Sequence, residues 1–253
     1  MVRAFKSPHR LFLLLLLAGL FFFCKSDPVN TYEDDPLLER IAVYDLAIAE
    51  PSGLCRAASG QTLWTVSDRS GKVYQLDPSG RILKELAFQG DDLEGIAVEP
   101  SDSTMWVVDE SNARIYHLTP EGAILRQIYL DSLKREYGIE GIAIHGDGSR
   151  VYLVREKNPC RLIIMDRNWQ QLSAFDLSMK DASDISYDGL YQQLWIVSDE
   201  EKTLHVCNLE GKIVASYEFD LADAEGVAVN RAENRIYLVS DSEAIMVVLR
   251  FRQ

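Results

Sequence analysis

The sequence predicts an all-β fold, a five-bladed β-propeller of four-stranded antiparallel blades, and three observations lead there. Two short landmarks recur five times at a fixed separation. Each repeat reads as four short strands, the content of one propeller blade. The last repeat is one strand short, and a strand without a repeat stands before the first.

Composition is consistent with that reading. The 253 residues are 47% hydrophobic, which excludes a disordered or collagen-like chain. With 26 Lys and Arg against 39 Asp and Glu, the formal charge is −13. That excess argues against a phosphate-backbone binder, so nucleic acid is not an expected partner.

The N-terminus comes first in chain order. Residues 1–23 hold Arg3, Lys6 and Arg10 and no acid, so the remaining residues set 23 basic against 39 acidic side chains, a formal −16. The apolar run Leu11–Phe23 is thirteen residues long. As a helix it covers about 20 Å, short of the hydrocarbon core of about 30 Å. It reads as the h-region of an export signal over residues 1–24. Cys24 follows, and the arrangement resembles a bacterial lipoprotein signal in which that cysteine is lipidated. Phe21 and Phe23 stand where the pattern prefers Leu and a small residue, so an uncleaved anchor or simple secretion remain open. A polar linker, 25–39, leads to a single propeller domain, 40–253, expected to be monomeric.

The blades are defined by their landmarks. The first precedes an apolar strand: Ser52-Gly53-Leu54, Glu94-Gly95-Ile96, Glu140-Gly141-Ile142, Ser183-Asp184-Ile185 and Glu225-Gly226-Val227. The second ends a strand: Val66-Ser67-Asp68, Val108-Asp109-Glu110, Val154-Arg155-Glu156, Val197-Ser198-Asp199 and Val239-Ser240-Asp241. The final acid lies fifteen positions after the second member of the first landmark in all five, and successive repeats are offset by 42, 46, 43 and 42 residues. Within the second repeat, GIAVEP, TMWVVDE, ARIYHLTPEG and AILRQIYL are β-rich runs parted by Pro, Gly, Asp and Ser turns. The last repeat offers only GVAVN, RIYLVS and IMVVLRF, and a missing outer strand would bare an apolar edge. Pairing Ile41–Leu46 with Met246–Phe251 completes the blade and closes the ring. A six-bladed alternative would need a cryptic repeat, and no residues remain for one.

The strings DDLEGIAV, GIEGIAI and AEGVAV, the VSD and VVDE endings and the turn DPSGRIL resemble the SdiA-regulated family of bacterial envelope β-propellers, from about Tyr44 to Arg250. The resemblance implies the fold, an exported or membrane-associated protein of the cell envelope, and no defined reaction.

In a blade the first strand is innermost and the second returns antiparallel, so both landmarks fall at one mouth of the channel. Glu94, Glu140 and Glu225 should ring that mouth, beside Asp68, Glu110, Glu156, Asp199 and Asp241, with Asp92, Asp184 and Asp223 close by. Converging carboxylates do not all stay ionised without compensation, and an all-oxygen set favours Ca²⁺ or Mg²⁺. The expected ligands are Glu94, Glu140, Asp184 and Glu225. The competing reading is structural, with the acids accepting loop N–H bonds and Arg69, Arg155 and Lys202 pairing with the ring. His117, His145 and His205 fall on outer strands or the opposite face.

Three function classes follow: a binding module for a small ligand or an envelope protein, a metal-dependent hydrolase, and a structural assembly partner. The hydrolase reading rests on similarity to gluconolactonase-like propellers, whose channel Glu, Asn and Asp bind metal, and to calcium-loaded phytase-like propellers. The chain supplies the Glu and Asp184 but no Asn at a strand start. Membrane association is expected through the N-terminus. Cys55, Cys160 and Cys207 form no disulfide or zinc pattern and read as free buried thiols. Trp64, Trp106 and Trp195 share one blade position and read as inter-blade packing, whereas Trp169 falls in a turn and is expected to be exposed. A loop extension at Lys134–Tyr137, before Glu140, is a candidate specificity element.

Overall fold

The structure, a computed structural model, describes residues 34–130 and 138–252. The signal residues, Cys24, most of the linker and the Lys134–Tyr137 extension lie outside the described residues. Among the described residues, twenty strands form five four-stranded antiparallel sheets. Blade 1 is β2 (Pro51–Arg56), β3 (Leu63–Ser67), β4 (Lys72–Leu76) and β5 (Ile82–Glu85). Blade 2 is β6 (Leu93–Val98), β7 (Met105–Asp109), β8 (Arg114–Leu118) and β9 (Ile124–Tyr129). Blade 3 is β10 (Ile139–Ile144), β11 (Arg150–Arg155), β12 (Arg161–Asp166) and β13 (Gln171–Asp176). Blade 4 is β14 (Asp184–Asp188), β15 (Gln193–Ser198), β16 (Thr203–Cys207) and β17 (Ile213–Glu218). Blade 5 joins β18 (Ala224–Asn230), β19 (Arg235–Ser240) and β20 (Ile245–Phe251) to β1 (Leu38–Asp45).

The ring therefore closes as expected, by the first strand completing the last blade. Register runs from Leu38 opposite Phe251 to Asp45 opposite Ile245, with one irregularity between Arg40 and Ala42. The strand starts three residues before the expected Ile41, and Leu38 is almost wholly buried. Asp35 already donates its backbone N–H to the Glu218 carbonyl of blade 4.

The core is five apolar layers, one in each gap between neighbouring blades. Each layer holds one aromatic from the same place on the second strand: Trp64, Trp106, Tyr152, Trp195 or Tyr237. The shared position extends the three tryptophans to five residues. Trp169 corrects its expectation: it is buried against Trp106, ring centroids 4.9 Å apart. Its turn folds onto the gap between blades 2 and 3, where an indole removes more apolar area from water than a loop tip could. Cys55, Cys160 and Cys207 are free thiols, the last two buried.

The landmarks acquire a structural cause. The pairing of first with second strand shifts register at the landmark in blades 1, 2, 3 and 5, a β-bulge. A bulge leaves residues out of the ladder and re-aims their side chains, here at Glu94, Glu140 and Glu225. In four blades the end of the second strand is tied back by one hydrogen bond. The N–H of Asp68, Glu110, Glu156 and Asp241 donates to the carbonyl of Glu50, Asp92, Gly138 and Asp223 respectively. In blade 4 the Asp199 N–H goes instead to the Asp181 carboxylate, at 3.0 Å.

Candidate functional site

Neighbouring inner strands meet so closely at the axis that a Cβ finds no room at four of five equivalent positions. A Cβ on Gly141 would lie 2.8 Å from the Asp184 Cα and the Ile185 N, and one on Gly95 would lie 2.5 Å from the Glu140 carbonyl oxygen. Gly53 also needs glycine for its φ of 31°. Four of the five positions in this ring are glycine, and the fifth is Asp184.

Inner strands expose an unpaired edge to the axis, and their N–H groups need acceptors. Asp184 provides one. Its Oδ2 accepts from Leu54 N of blade 1 at 3.0 Å and from Val227 N of blade 5 at 2.9 Å. Its Oδ1 is buried and carries no hydrogen bond among the described residues. Burial drives its pKa well above the carboxylate range, against the backbone N–H groups of Val227, Leu54 and Ile185 that pull it down. Two residues on, Ser186 Oγ accepts from Val229 N at 3.3 Å. Asp184 thus reaches past blade 5 to blade 1, whereas Ser186 meets only the neighbouring blade 5.

On the landmark side of this ring lies a chamber of about 310 Å³, lined by nine carboxyl side chains, Lys157 and two serines. Carboxyls come from every blade: Asp68 from the first, Glu94 from the second, Glu140 and Glu156 from the third, Asp181, Asp199 and Glu200 from the fourth, Glu225 and Asp241 from the fifth. Glu94, Glu110 and Glu140 each place an oxygen within 4.8 Å of the others, as do Asp68, Asp92 and Glu94. Of the four expected ligands, the structure brings Glu94 and Glu140 together. It sets Glu225 on the same chamber outside that group, and gives one oxygen of Asp184 to the backbone.

The electrostatics follow from crowding and burial. Burial first, then neighbouring Asp68, Glu225 and Asp92, push Glu94 up to about 8, opposed by the Ser52 hydroxyl donating to its Oε2 at 2.7 Å. Glu225 rises to about 7, chiefly by burial and then by Asp199, opposed by a hydrogen bond from Ser183. Asp68 rises to about 6, by burial and a carboxyl–carboxyl hydrogen bond with Asp92. Glu140 is raised well above its ordinary range, first by burial. It is 8% exposed, and burial is compounded by Glu94, Glu110, Glu156 and Glu225. Apart from the Glu110 carboxyl, no donor among the described residues reaches it.

The expected basic partners are only partly in place. Arg69 pairs with Glu50 at 3.8 Å on the surface. Arg155 donates to the Pro159 carbonyl and Lys202 to the Leu221 carbonyl. Lys157, not singled out in the sequence, bridges Glu156 at 2.6 Å and Glu200 at 3.0 Å. Asp181 was also missed: 2% exposed, it holds the Ser198 hydroxyl and the Asp199 N–H. The signal was present, because Asp181 stands three residues before its ring position, as do Glu50, Asp92 and Asp223.

An oxygen set of this kind fits a hard cation. Glu94, Glu110 and Glu140 offer three carboxylate oxygens within 4.8 Å of one another, the donor type that Ca²⁺ and Mg²⁺ share, and Glu140 is a buried carboxyl in want of a counter-charge.

Fold and chamber together define a five-bladed β-propeller with a carboxylate-lined axial site. The chain belongs to the SdiA-regulated family, whose profile matches residues 43–248. No curated protein matches the sequence. Among solved structures, Kuenenia stuttgartiensis hydrazine synthase is similar with a TM-score of 0.53 at 14% identity, over 77% of this chain and 56% of that one. Streptogramin B lyase is similar with a TM-score of 0.50 at 19% identity, over 83% of this chain and 72% of that one. At these identities the likeness is one of fold, and function has to be argued from the site.

Proposed function

We propose that this protein is an exported, membrane-associated binding module of the cell envelope, which takes a divalent cation in its axial chamber and presents the loaded mouth to a small ligand or an envelope protein. The cation is a hard divalent ion such as Ca²⁺, held by Glu94, Glu110 and Glu140, with Glu225 on the same chamber. One observation carries this reading: Glu140 is a buried carboxyl whose surroundings are other carboxyls. An uncompensated charge there is costly, and a cation offsets several at once.

Calorimetry with CaCl₂ tests the site, using the protein and a Glu94→Gln/Glu225→Gln variant. Saturable heat with the first and its loss in the second is the expected result; equal, negligible heats would remove the cation. Export and attachment are supported by the basic start, the Leu11–Phe23 run and Cys24. Membrane fractionation of the Cys24→Ala variant checks them, and release into the soluble fraction indicates a lipid on that thiol. Metal-dependent hydrolysis in the same chamber is a separate outcome. Lactone or phosphate-ester turnover that needs Ca²⁺ and is lost in the carboxamide variant would make the protein an enzyme.

A further inference from the structure

Building on the reading of the chamber as a cation site, we propose that its larger occupant is a linear organic polyammonium, lying between the Glu94–Glu140 side and the Glu225 side. The first ground is the distribution of charge. A point ion at Glu94, Glu110 and Glu140 leaves Asp181, Asp199 and Glu225 outside the 4.8 Å groups, although they line the same chamber. Ammonium groups spaced along a flexible chain can meet both sides at once. The second ground is size. At about 310 Å³ the chamber sits at the low end of small-molecule pockets, and would hold on the order of ten waters at about 30 Å³ each. A single ion leaves most of it filled with solvent.

The third ground is that the chain already seats one alkylammonium there. Lys157 Nζ lies between Glu156 and Glu200 at 2.6 and 3.0 Å, so the rim accepts a primary ammonium on a four-carbon stem. Glu140 supplies the independent pointer deeper in: a 92% buried acceptor, lining the chamber, to which no N–H of the described residues donates. Carboxylate-to-ammonium hydrogen bonds are charge-assisted and short, and in a buried setting are the stronger kind.

Calorimetry on the full chain in 0.15 M NaCl tests the inference, with spermidine, putrescine and butylamine as probes and CaCl₂ as competitor. Spermidine is expected to bind with saturable heat and more tightly than putrescine, butylamine to show none, and Ca²⁺ to weaken spermidine. Glu140→Gln should weaken spermidine by about tenfold. Should that variant fail to fold by circular dichroism, Asp241→Asn serves, since Asp241 lines the chamber and its Oδ1 has no hydrogen bond to lose. Saturable Ca²⁺ binding without spermidine binding overturns the polyammonium and leaves the cation site standing. Absence of both removes both readings. Spermidine binding unchanged in a folded variant places it elsewhere and also overturns the inference.

Discussion

Asp184 ties blade 4 to blades 1 and 5 through a single carboxyl oxygen. In the sequence it is an acid at a landmark, and a carboxylate near a channel suggests a ligand. In the fold its Oδ2 closes two backbone donors that lie 130 and 43 residues away. No local pattern encodes those partners, because they exist only once the ring has closed. What was legible was the oddity itself, an aspartate where four repeats have glycine. Asp184→Ala should destabilise the protein by about 2–4 kcal/mol, since two buried N–H groups lose their acceptor. Asp184→Asn, which keeps one carbonyl oxygen, should cost less. Urea denaturation of both variants checks the order, and equal losses would remove the hydrogen-bond explanation. Gly141→Ala brings a methyl to 2.8 Å from two neighbouring backbone atoms and should cost about 1–3 kcal/mol by the same measurement.

At the level of strands, most of the architecture was readable because each blade repeats the same local requirements. The four bulged blades carry a glycine at the ring position, and in each the second strand ends where its N–H meets the carbonyl three residues before it. Blade 4 keeps the fifteen-residue interval with an aspartate carboxylate as the acceptor. The outer strands show a related regularity: β5, β9, β13 and β17 each carry an irregularity near their start, leaving Leu83, Leu125, Leu172 and Val214 exposed outside the ladder. A kinked edge pairs poorly with another chain. Burial of Trp169 was not legible, because a turn's orientation depends on the neighbouring blade it meets. Trp106 touches both Trp169 and His117, the latter stacked at 3.9 Å. Trp106→Ala is therefore expected to cost about 3–5 kcal/mol, seen as a lower urea midpoint with an unchanged slope.

For the whole molecule, the chamber couples charge to stability. Glu94, Glu225 and Asp68 are raised to about 8, 7 and 6, above their values in an unfolded chain. A raised acid binds more protons folded than unfolded, so its stabilising contribution is full below the unfolded pKa and fades as pH climbs through the folded one. Metal-free protein should accordingly melt at a lower temperature at pH 8 than at pH 5. Ca²⁺ should remove most of that slope, because it takes over from the protons. Thermal melts at both pH values, with chelator and with Ca²⁺, check this; a flat profile in chelator would show that the carboxyls stay ionised unaided. The ring of glycines crossed by Asp184 adds a consequence for traffic. It makes the propeller a cup and not a pipe: whatever leaves the chamber departs through the opening by which it came.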